Sequence, residues 1–280
     1  MRKVLLFIIF SLGIMLNCGD NQNIFFDNPE LSDPYFFDGK ITLTWVNTID
    51  STDFEGYNVY ISKTSDIKDA TGDAQILANA IVAQNVGKTD DTVVVSYDKL
   101  GDGTLIMDQD SVFIQVRTVT ASGVNDNSPT TYKVIPAPTG IGILFTYNKN
   151  TTTHSGYGWN SETGEGKDFS TVEVNKDSID FFVDELPTSG VVTLLSPSNA
   201  DFITWQGKAT NLKILDKWYT PEYPEISGSS VSIDVESVIG FKTEDGYFAK
   251  IKIEEIGDTT VQGESLKYIK FNYAFYPNSK

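Results

Sequence analysis

Short runs that alternate apolar and polar side chains, separated by turn residues, limit most strongly what this chain can fold into. From residue 40 to 46, Ile41, Leu43 and Trp45 share one face, and two threonines share the other. Residues 247 to 254 repeat this alternation near the C-terminal end. A period of two indicates a half-buried β-strand, because successive side chains of a strand point to opposite faces. We therefore predict an all-β chain.

The same periodicity predicts strands in both halves of the chain. In the first half they lie at 34–37, 40–46, 56–62, 92–97, 111–120 and 131–135. In the second half they lie at 141–147, 178–183, 190–196, 201–206, 209–214, 230–235, 238–242, 247–255 and 267–276. In the first half, residues 73–84 have a spacing that suits a short helix. Short strands separated by turns indicate two antiparallel β-sandwiches in tandem.

Three segments of the first half carry a family resemblance: 41–45, 56–62 and 113–123, the last followed by Ser128-Pro129. In this order they resemble a fibronectin type III domain, over about 34–137. The resemblance implies that Trp45 is the core tryptophan of the second strand and that Tyr57 begins the third. The place of the family's corner tyrosine holds Val112, and the insertion from Lys63 to Asp90 is longer than the family needs. Such a domain is a spacer or a binding surface.

The boundary between the domains is predicted at 135–140, where two prolines and a glycine make a semi-rigid linker. Beyond it, residues 239–253 followed by 268–273 resemble the closing hairpin and strand of the HmuY-like β-sandwich lipoproteins. Residues 159–164 followed by 178–182 are similar to the strand pair that opens those domains. Some members of that family bind heme between two side chains, commonly histidines. This chain has one histidine, His154, so heme held by two histidines of one chain is excluded by count.

The N-terminus has the pattern of an export signal. Two basic residues precede an apolar run from Val4 to Leu16, which is too short for a membrane-spanning helix. Cys18, the chain's one cysteine, stands where a lipoprotein signal peptidase would leave a lipid-bearing N-terminus, with Met15 and Asn17 in a relaxed lipobox. A lipid on Cys18 would anchor the chain to a bilayer without spanning it. The alternative is ordinary cleavage that leaves a free thiol.

These features divide the chain into four parts. Residues 1–17 are the signal peptide, 18–33 the lipidated tether, 34–137 the fibronectin type III-like domain and 138–280 the second all-β domain. Loss of Arg2 and Lys3 with the signal peptide lowers the formal charge from −17 to −19. So acidic a surface repels nucleic acid, which we exclude as a partner. We expect a location in the cell envelope, at the outer membrane, and leave open which side it faces.

The sequence lacks recognisable catalytic and metal-binding motifs. The sequence has no Gly-x-Ser-x-Gly elbow, no phosphate loop and no zinc-binding cysteine pattern, and its many carboxylates show no catalytic pairing. Asp90, Asp91 and a group formed by Asp102, Asp108 and Asp110 lack the spacing of a calcium loop. His154 falls in a polar stretch and is interpreted as a loop histidine. We predict a protein that is not an enzyme and has no cofactor or metal.

Binding is therefore the predicted activity. In the stretch from 218 to 224, Trp218, Tyr219 and Tyr223 stand among prolines, where rigid rings give contact area at little entropic cost. The first hypothesis is adhesion or partner binding through these rings; its structural alternative is that Trp218 plugs the end of a sandwich. The second hypothesis is capture of a small apolar ligand by the C-terminal sandwich. The third is an accessory carbohydrate module with Trp159 and Trp205 as stacking rings.

Overall fold

A computed structural model gives the fold of the chain. It describes residues 27–46, 49, 52–72, 75, 82–96, 110–125, 129–148, 152–170, 178–186, 189–197, 209–219, 228–243 and 245–277. Cys18, Tyr223, Trp205, Asp102 and Asp108 lie outside these residues, as does the predicted strand at 201–206. Within the described part, no helix has the length and apolar character needed to cross a membrane.

The described residues form an almost entirely β structure, as predicted. In the first half the strands are β1 (Tyr35–Phe37), β2 (Lys40–Thr44), β3 (Phe54–Ser62), β4 (Val82–Val86), β5 (Thr92–Ser96), β6 (Val112–Thr120), β7 (Gly123–Val124) and β8 (Tyr132–Val134). One 3₁₀ turn, Ser65–Lys68, follows β3. Most of the helix predicted at 73–84 lies outside the described residues, and its last residues belong to β4, which pairs with β3.

The described residues of the second half add ten strands. They are β9 (Thr139–Phe145), β10 (His154–Trp159), β11 (Gly166–Ser170), β12 (Phe181–Glu185), β13 (Val192–Leu195), β14 (Ala209–Leu215), β15 (Ser230–Ser232), β16 (Val238–Thr243), β17 (Phe248–Val261) and β18 (Glu264–Tyr276). The alternation of apolar and polar residues did not predict strands β10 and β11. His154 is thus the first residue of a strand and not a loop residue. The glycines of β10 hide its alternation, because glycine contributes no side chain to either face.

These strands pair into four antiparallel sheets. The N-terminal sandwich consists of the sheet β1-β2-β5 and the sheet β4-β3-β6-β7, in which β8 also pairs with β6. The C-terminal sandwich consists of the sheet β11-β10-β12-β13-β15 and the sheet β14-β16-β17-β18-β9. The inner faces of each pair of sheets form a core, which is the arrangement expected of a β-sandwich.

Alternation along β2 produces the core of the N-terminal sandwich. Ile41, Leu43 and Trp45 are buried, while the threonines between them are partly exposed. The Trp45 ring meets the Tyr57 ring edge to face, with centroids 5.2 Å apart. Val112 is buried at the start of β6, and it is Tyr132 that donates a hydroxyl hydrogen bond to a distant backbone carbonyl, that of Leu31, at 3.2 Å.

The segment from 27 to 33, expected to be tether, is part of the N-terminal sandwich. Leu31 is buried and forms a β-bridge with Trp45. The amide of Ser32 donates to the carbonyl of Thr44 at 2.8 Å, and the amide of Thr118 donates to the Asn28 side chain at 2.9 Å. The sequence did not reveal this because hydrogen bonds from an irregular segment leave no periodic pattern.

The insertion after β3 covers the outer face of β6. Its 3₁₀ turn buries Ile67, and Arg117 lies beneath the turn with no exposed area. The Arg117 guanidinium donates to the carbonyl of Ala70 at 2.9 Å and to the side chain of Gln115 at 2.8 Å. This part of the insertion therefore forms a second layer that is fixed by a buried cation.

Strands β16 to β18 build the C-terminal core. Ala249, Ile251 and Ile253 are buried on the inner face of β17, as the alternation predicted. The turn that joins β16 to β17 is tight, because the Gly246 amide donates to the Thr243 carbonyl at 2.9 Å and Gly246 has a positive φ of 88°. The last strand, β18, lies between β17 and β9 in its sheet.

The two sandwiches share a buried junction. Trp218, Leu215, Val238, Ala274 and Tyr276, all from the second half, belong to the same apolar cluster as the N-terminal core. The predicted semi-rigid linker is part of this packing: Ala137 is buried, and the Pro138 carbonyl accepts a hydrogen bond from the Phe275 amide at 2.9 Å. The linker is fixed because it lies along β18 instead of crossing solvent.

Candidate functional site

The C-terminal sandwich carries a groove beside the hairpin of β10 and β11, with a volume of about 580 Å³. We call it the hairpin groove. It is lined by Gly158, Trp159, Asn160, Glu165, Gly166, Lys167, Phe169, Ser178 and Tyr273. The volume lies within the range of about 300–1,000 Å³ that small-molecule sites occupy.

The turn of the hairpin fixes one end of the groove. The Asn160 amide donates to the Glu165 carbonyl at 2.8 Å, and the Asn160 side-chain oxygen accepts from the amides of Glu162 at 2.8 Å and Thr163 at 3.1 Å. Gly164 has a φ of 75°, which favours glycine. Asparagine and glycine at these places make a closed turn, so Glu165 enters β11 in a defined position.

A close backbone approach sets the position of Ser178. A Cβ atom on Gly158 would stand 1.9 Å from the Ser178 carbonyl oxygen, so only glycine fits at this place in β10. The following residues pack over β10 as well, and the Asp180 amide donates to the Tyr157 carbonyl at 2.7 Å. The segment at 178–180 is therefore held against the outer face of the sheet.

Lys167 and Phe169 stand on the same outer face. The register pairs Gly158 with Lys167 and Gly156 with Phe169, so both side chains project beside positions that have none. The Phe169 ring is half-buried against Ile179, and the Lys167 ammonium lies 5.5 Å from its centroid. This cation–π contact identifies a ring face that a polar, positively polarised group can reach.

The inner side of the groove is rigid. The Gly166 amide donates to the Tyr273 hydroxyl at 3.0 Å, which ties β11 to the opposite sheet. Burial raises the pKa of the neighbouring Tyr157 phenol above its ordinary value, so this group stays neutral. Trp159 is only 3% exposed and packs among Tyr157, Phe181, Phe241, Tyr273 and Phe275. The prediction of Trp159 as an exposed stacking ring is therefore wrong, because core packing covers both of its faces.

Two side chains of opposite charge stand at the rim. Glu165 and Lys167 are both exposed and lie two residues apart around Gly166. Within the described residues, neither carries an ion pair. The rim therefore presents one acceptor-only group and one donor-only group to anything that enters the groove.

His154 lies on the same hairpin, outside the groove lining. Its Nδ1 is 2.6 Å from a carboxylate oxygen of Asp168, and both side chains are about half exposed. The pair joins the two strands across the hairpin. Among the described residues, no group of three or more histidine, cysteine, aspartate or glutamate side chains is placed to hold a metal ion.

The predicted contact loop has a different structure from the one expected. Trp218 is 1% exposed and packs between Tyr35, at 6.0 Å, and Phe36, at 5.6 Å between centroids. The prediction of an exposed Trp218 ring is wrong, because the junction of the sandwiches buries it. The alternative, in which Trp218 plugs the end of a sandwich, agrees better with the structure. Tyr219 is half-buried, edge to face with Tyr132 at 5.6 Å. Tyr223 lies outside the described residues, and binding by this loop stays a prediction.

The aspartates considered for calcium have local roles where they are described. A carboxylate oxygen of Asp90 accepts from the Gly87 amide at 3.1 Å, and one of Asp91 accepts from the Thr92 hydroxyl at 3.2 Å. Asp110 pairs with Lys63 at 3.0 Å. These bonds close turns and connect loops.

A second, smaller groove of about 430 Å³ lies beside the N-terminal segment and includes Asp27, Glu30 and Tyr57 in its lining.

Sequence reasoning missed Glu165, Lys167 and Phe169 as site residues. They come together because β10 and β11 form a hairpin, and this hairpin was hidden by the glycines at 156 and 158. A usable signal was present in Asn160 and Gly164, which suit a tight turn between two strands.

Comparisons with known proteins give no family. No protein-family model matches the chain, and no curated protein matches it. Among solved structures, the chain is similar to one described as the central fibronectin-III array of RIM-binding protein, at 12% identity and a TM-score of 0.25. The match covers 78% of this chain and 94% of that chain. At this TM-score the likeness carries no argument about fold or function.

Proposed function

We propose that this chain is an exported, lipid-anchored protein that binds a small ligand in the hairpin groove without transforming it. The observation that carries the proposal is the groove itself: about 580 Å³ of space with a half-buried ring, two opposite charges and a rigid backing. Concave sites of this size with a few placed polar groups are typical of small-molecule binding.

The anchor in this proposal is Cys18. Eight residues separate it from Asp27, whose carbonyl accepts a hydrogen bond from the Thr118 hydroxyl at 3.0 Å. A fully extended stretch of that length spans about 30 Å at most. The proposed lipid would therefore hold the N-terminal sandwich close to the membrane, and the fibronectin type III-like sandwich would act as the base for the C-terminal one.

The groove is preferred to the loop at 218–224 as the site. Burial of Trp218 removes the ring that would have contributed most to a contact surface. Charged and polar side chains stand at the rim of the groove. Capture of a purely apolar ligand is thus less suited to its lining than binding of a ligand with polar groups.

A screen that reports on Trp159 tests the proposal. Tryptophan in the full-length chain, purified in detergent, is replaced by 5-fluorotryptophan, and the fluorine signals are assigned by single substitutions. A ligand in the groove should shift the Trp159 signal and leave that of Trp45, in the N-terminal core, unchanged. If no compound of a broad library of metabolites and oligosaccharides shifts the Trp159 signal, the groove is not a binding site.

A further inference from the structure

The lining of the hairpin groove combines one aromatic face with charges of both signs. We infer that the groove takes an uncharged, hydroxyl-rich ligand that has one apolar face, which is the chemistry of a pyranose sugar. This inference rests on the binding function proposed above and specifies the ligand class for the same site.

The Phe169 ring supplies the apolar contact. Its inner side packs on Ile179 and Phe182, which fixes the ring, and the Lys167 ammonium lies over the ring at 5.5 Å. A ring face carries partial negative charge, so it attracts positively polarised hydrogens. The C–H groups on one face of a pyranose carry such hydrogens, and they can take the place that the ammonium occupies in the free protein.

The rim charges select against ions. An anion would be attracted by Lys167 but repelled by Glu165 two residues away, and by a chain of formal charge −17. A cation would be attracted by Glu165 but repelled by Lys167. A hydroxyl group suits both side chains, because it donates to the Glu165 carboxylate and accepts from the Lys167 ammonium.

A flat apolar ligand suits the groove poorly. It would cover Glu165 and Lys167, which are exposed in the free protein, and offer them no hydrogen-bond partner. Removing charged groups from water without compensation is costly. A sugar replaces that water with its own hydroxyls and still gains contact with the ring.

Binding measurements on matched ligands test the inference. The full-length chain in detergent is titrated calorimetrically with uncharged gluco-, manno- and galacto-oligosaccharides, and with the matching uronic acid oligosaccharides. We expect at least one uncharged sugar to bind and its uronate to bind up to about fivefold more weakly, since the uronate carboxylate meets the like charge of Glu165 at an exposed rim.

Variants locate the contact. Phe169→Ala and Glu165→Gln should each weaken sugar binding by about tenfold, roughly the loss of one ring contact or one charged hydrogen bond. Lys167→Met, at an exposed position, tests the other charge without disturbing the core. Phe113→Ala is the matched control, because Phe113 is likewise a half-buried ring, on the outer face of the N-terminal sandwich. Its sugar affinity should equal that of the unaltered chain.

Three failures are distinguishable. If the Trp159 fluorine signal responds to charged or apolar compounds and to no uncharged sugar, the ligand class is wrong while the groove remains a binding site. If sugars bind but the groove variants bind them as well as Phe113→Ala does, the inferred contact is wrong. If nothing shifts Trp159, the proposed function fails together with the inference.

Discussion

Lys250 donates a hydrogen bond from its side-chain ammonium to the main-chain carbonyl of Trp218, at 3.2 Å, where the two sandwiches meet. The alternation along β17 places Lys250 on the face opposite Ile251, which in an isolated sandwich would be the solvent face. The N-terminal sandwich and Trp218 cover that face, so Lys250 has no exposed area. Burial lowers the pKa of Lys250 to about 7.

The first prediction concerns pH. The folded-state pKa of Lys250, about 7, lies below the ordinary value of 10.5, so the unfolded chain binds more protons between these pH values. The free energy of unfolding should therefore rise with pH across this window and level off below pH 7. The full effect is on the order of 4 to 5 kcal/mol.

Lys250→Met should remove this pH dependence and raise stability below pH 7, as measured by urea unfolding at several pH values. The matched control is Lys252→Met. Lys252 is two residues further along β17, is partly exposed and pairs with Glu236 at 2.9 Å. In this control, the free energy of unfolding should rise with pH as steeply as in the unaltered chain. An equal slope in Lys250→Met and the unaltered chain would contradict the burial of this ammonium.

The second prediction concerns Arg117 beneath the insertion. Arg117→Met should lower the free energy of unfolding by about 2 to 4 kcal/mol, because the Ala70 carbonyl loses its hydrogen-bond donor. Limited proteolysis should also cut near residues 65–70 sooner. Lys68→Met, at an exposed position of the same turn, should have neither effect. Equal stability of the two variants would show that the guanidinium does not fix the insertion.

The third prediction separates the two described rings of the loop at 218–224. Trp218→Ala should lower the free energy of unfolding by about 3 to 5 kcal/mol, the usual cost of deleting a fully buried large ring. Tyr219→Ala should cost about 1 kcal/mol, because its ring is only half-buried. Thermal unfolding of both variants measures the difference. A Trp218→Ala chain as stable as the unaltered one would mean that the ring is not part of the junction.

The fourth prediction concerns the anchor. The mature chain should partition with membranes and have a mass that exceeds that of residues 18–280 by the mass of its acyl groups. Cys18→Ser should release the chain into the soluble fraction. Intact mass spectrometry and membrane fractionation measure the two outcomes. An unacylated terminus on the native chain would remove the lipid anchor from the proposed function.

Sequence periodicity predicted most strands but not what covers them. Alternation separated Ile251 from Lys250 correctly, because the two faces of a strand follow from its geometry. It could not reveal that the face of Lys250 is buried, since that depends on how the two sandwiches pack. The same limit explains Trp218. Its proline-rich sequence context suggested an exposed ring, but the ring lies at the junction of the sandwiches.

The candidate site was harder to predict than the fold. Gly156 and Gly158 interrupt the pattern of β10, so the hairpin that presents Lys167 and Phe169 was not recognised. The groove also needs Ser178, whose position depends on a backbone approach that only glycine at 158 permits. Contacts of this kind join residues far apart in sequence and leave no periodic signal.

The most direct test of the account is a crystal structure of the chain with the tightest-binding oligosaccharide. We predict an intact sugar in the hairpin groove, with one face on the Phe169 ring and hydroxyls bonded to Glu165 and Lys167. A sugar found against Tyr219 or in the N-terminal groove, or one that has been cleaved, would contradict the central claim that this groove binds its ligand and leaves it unchanged.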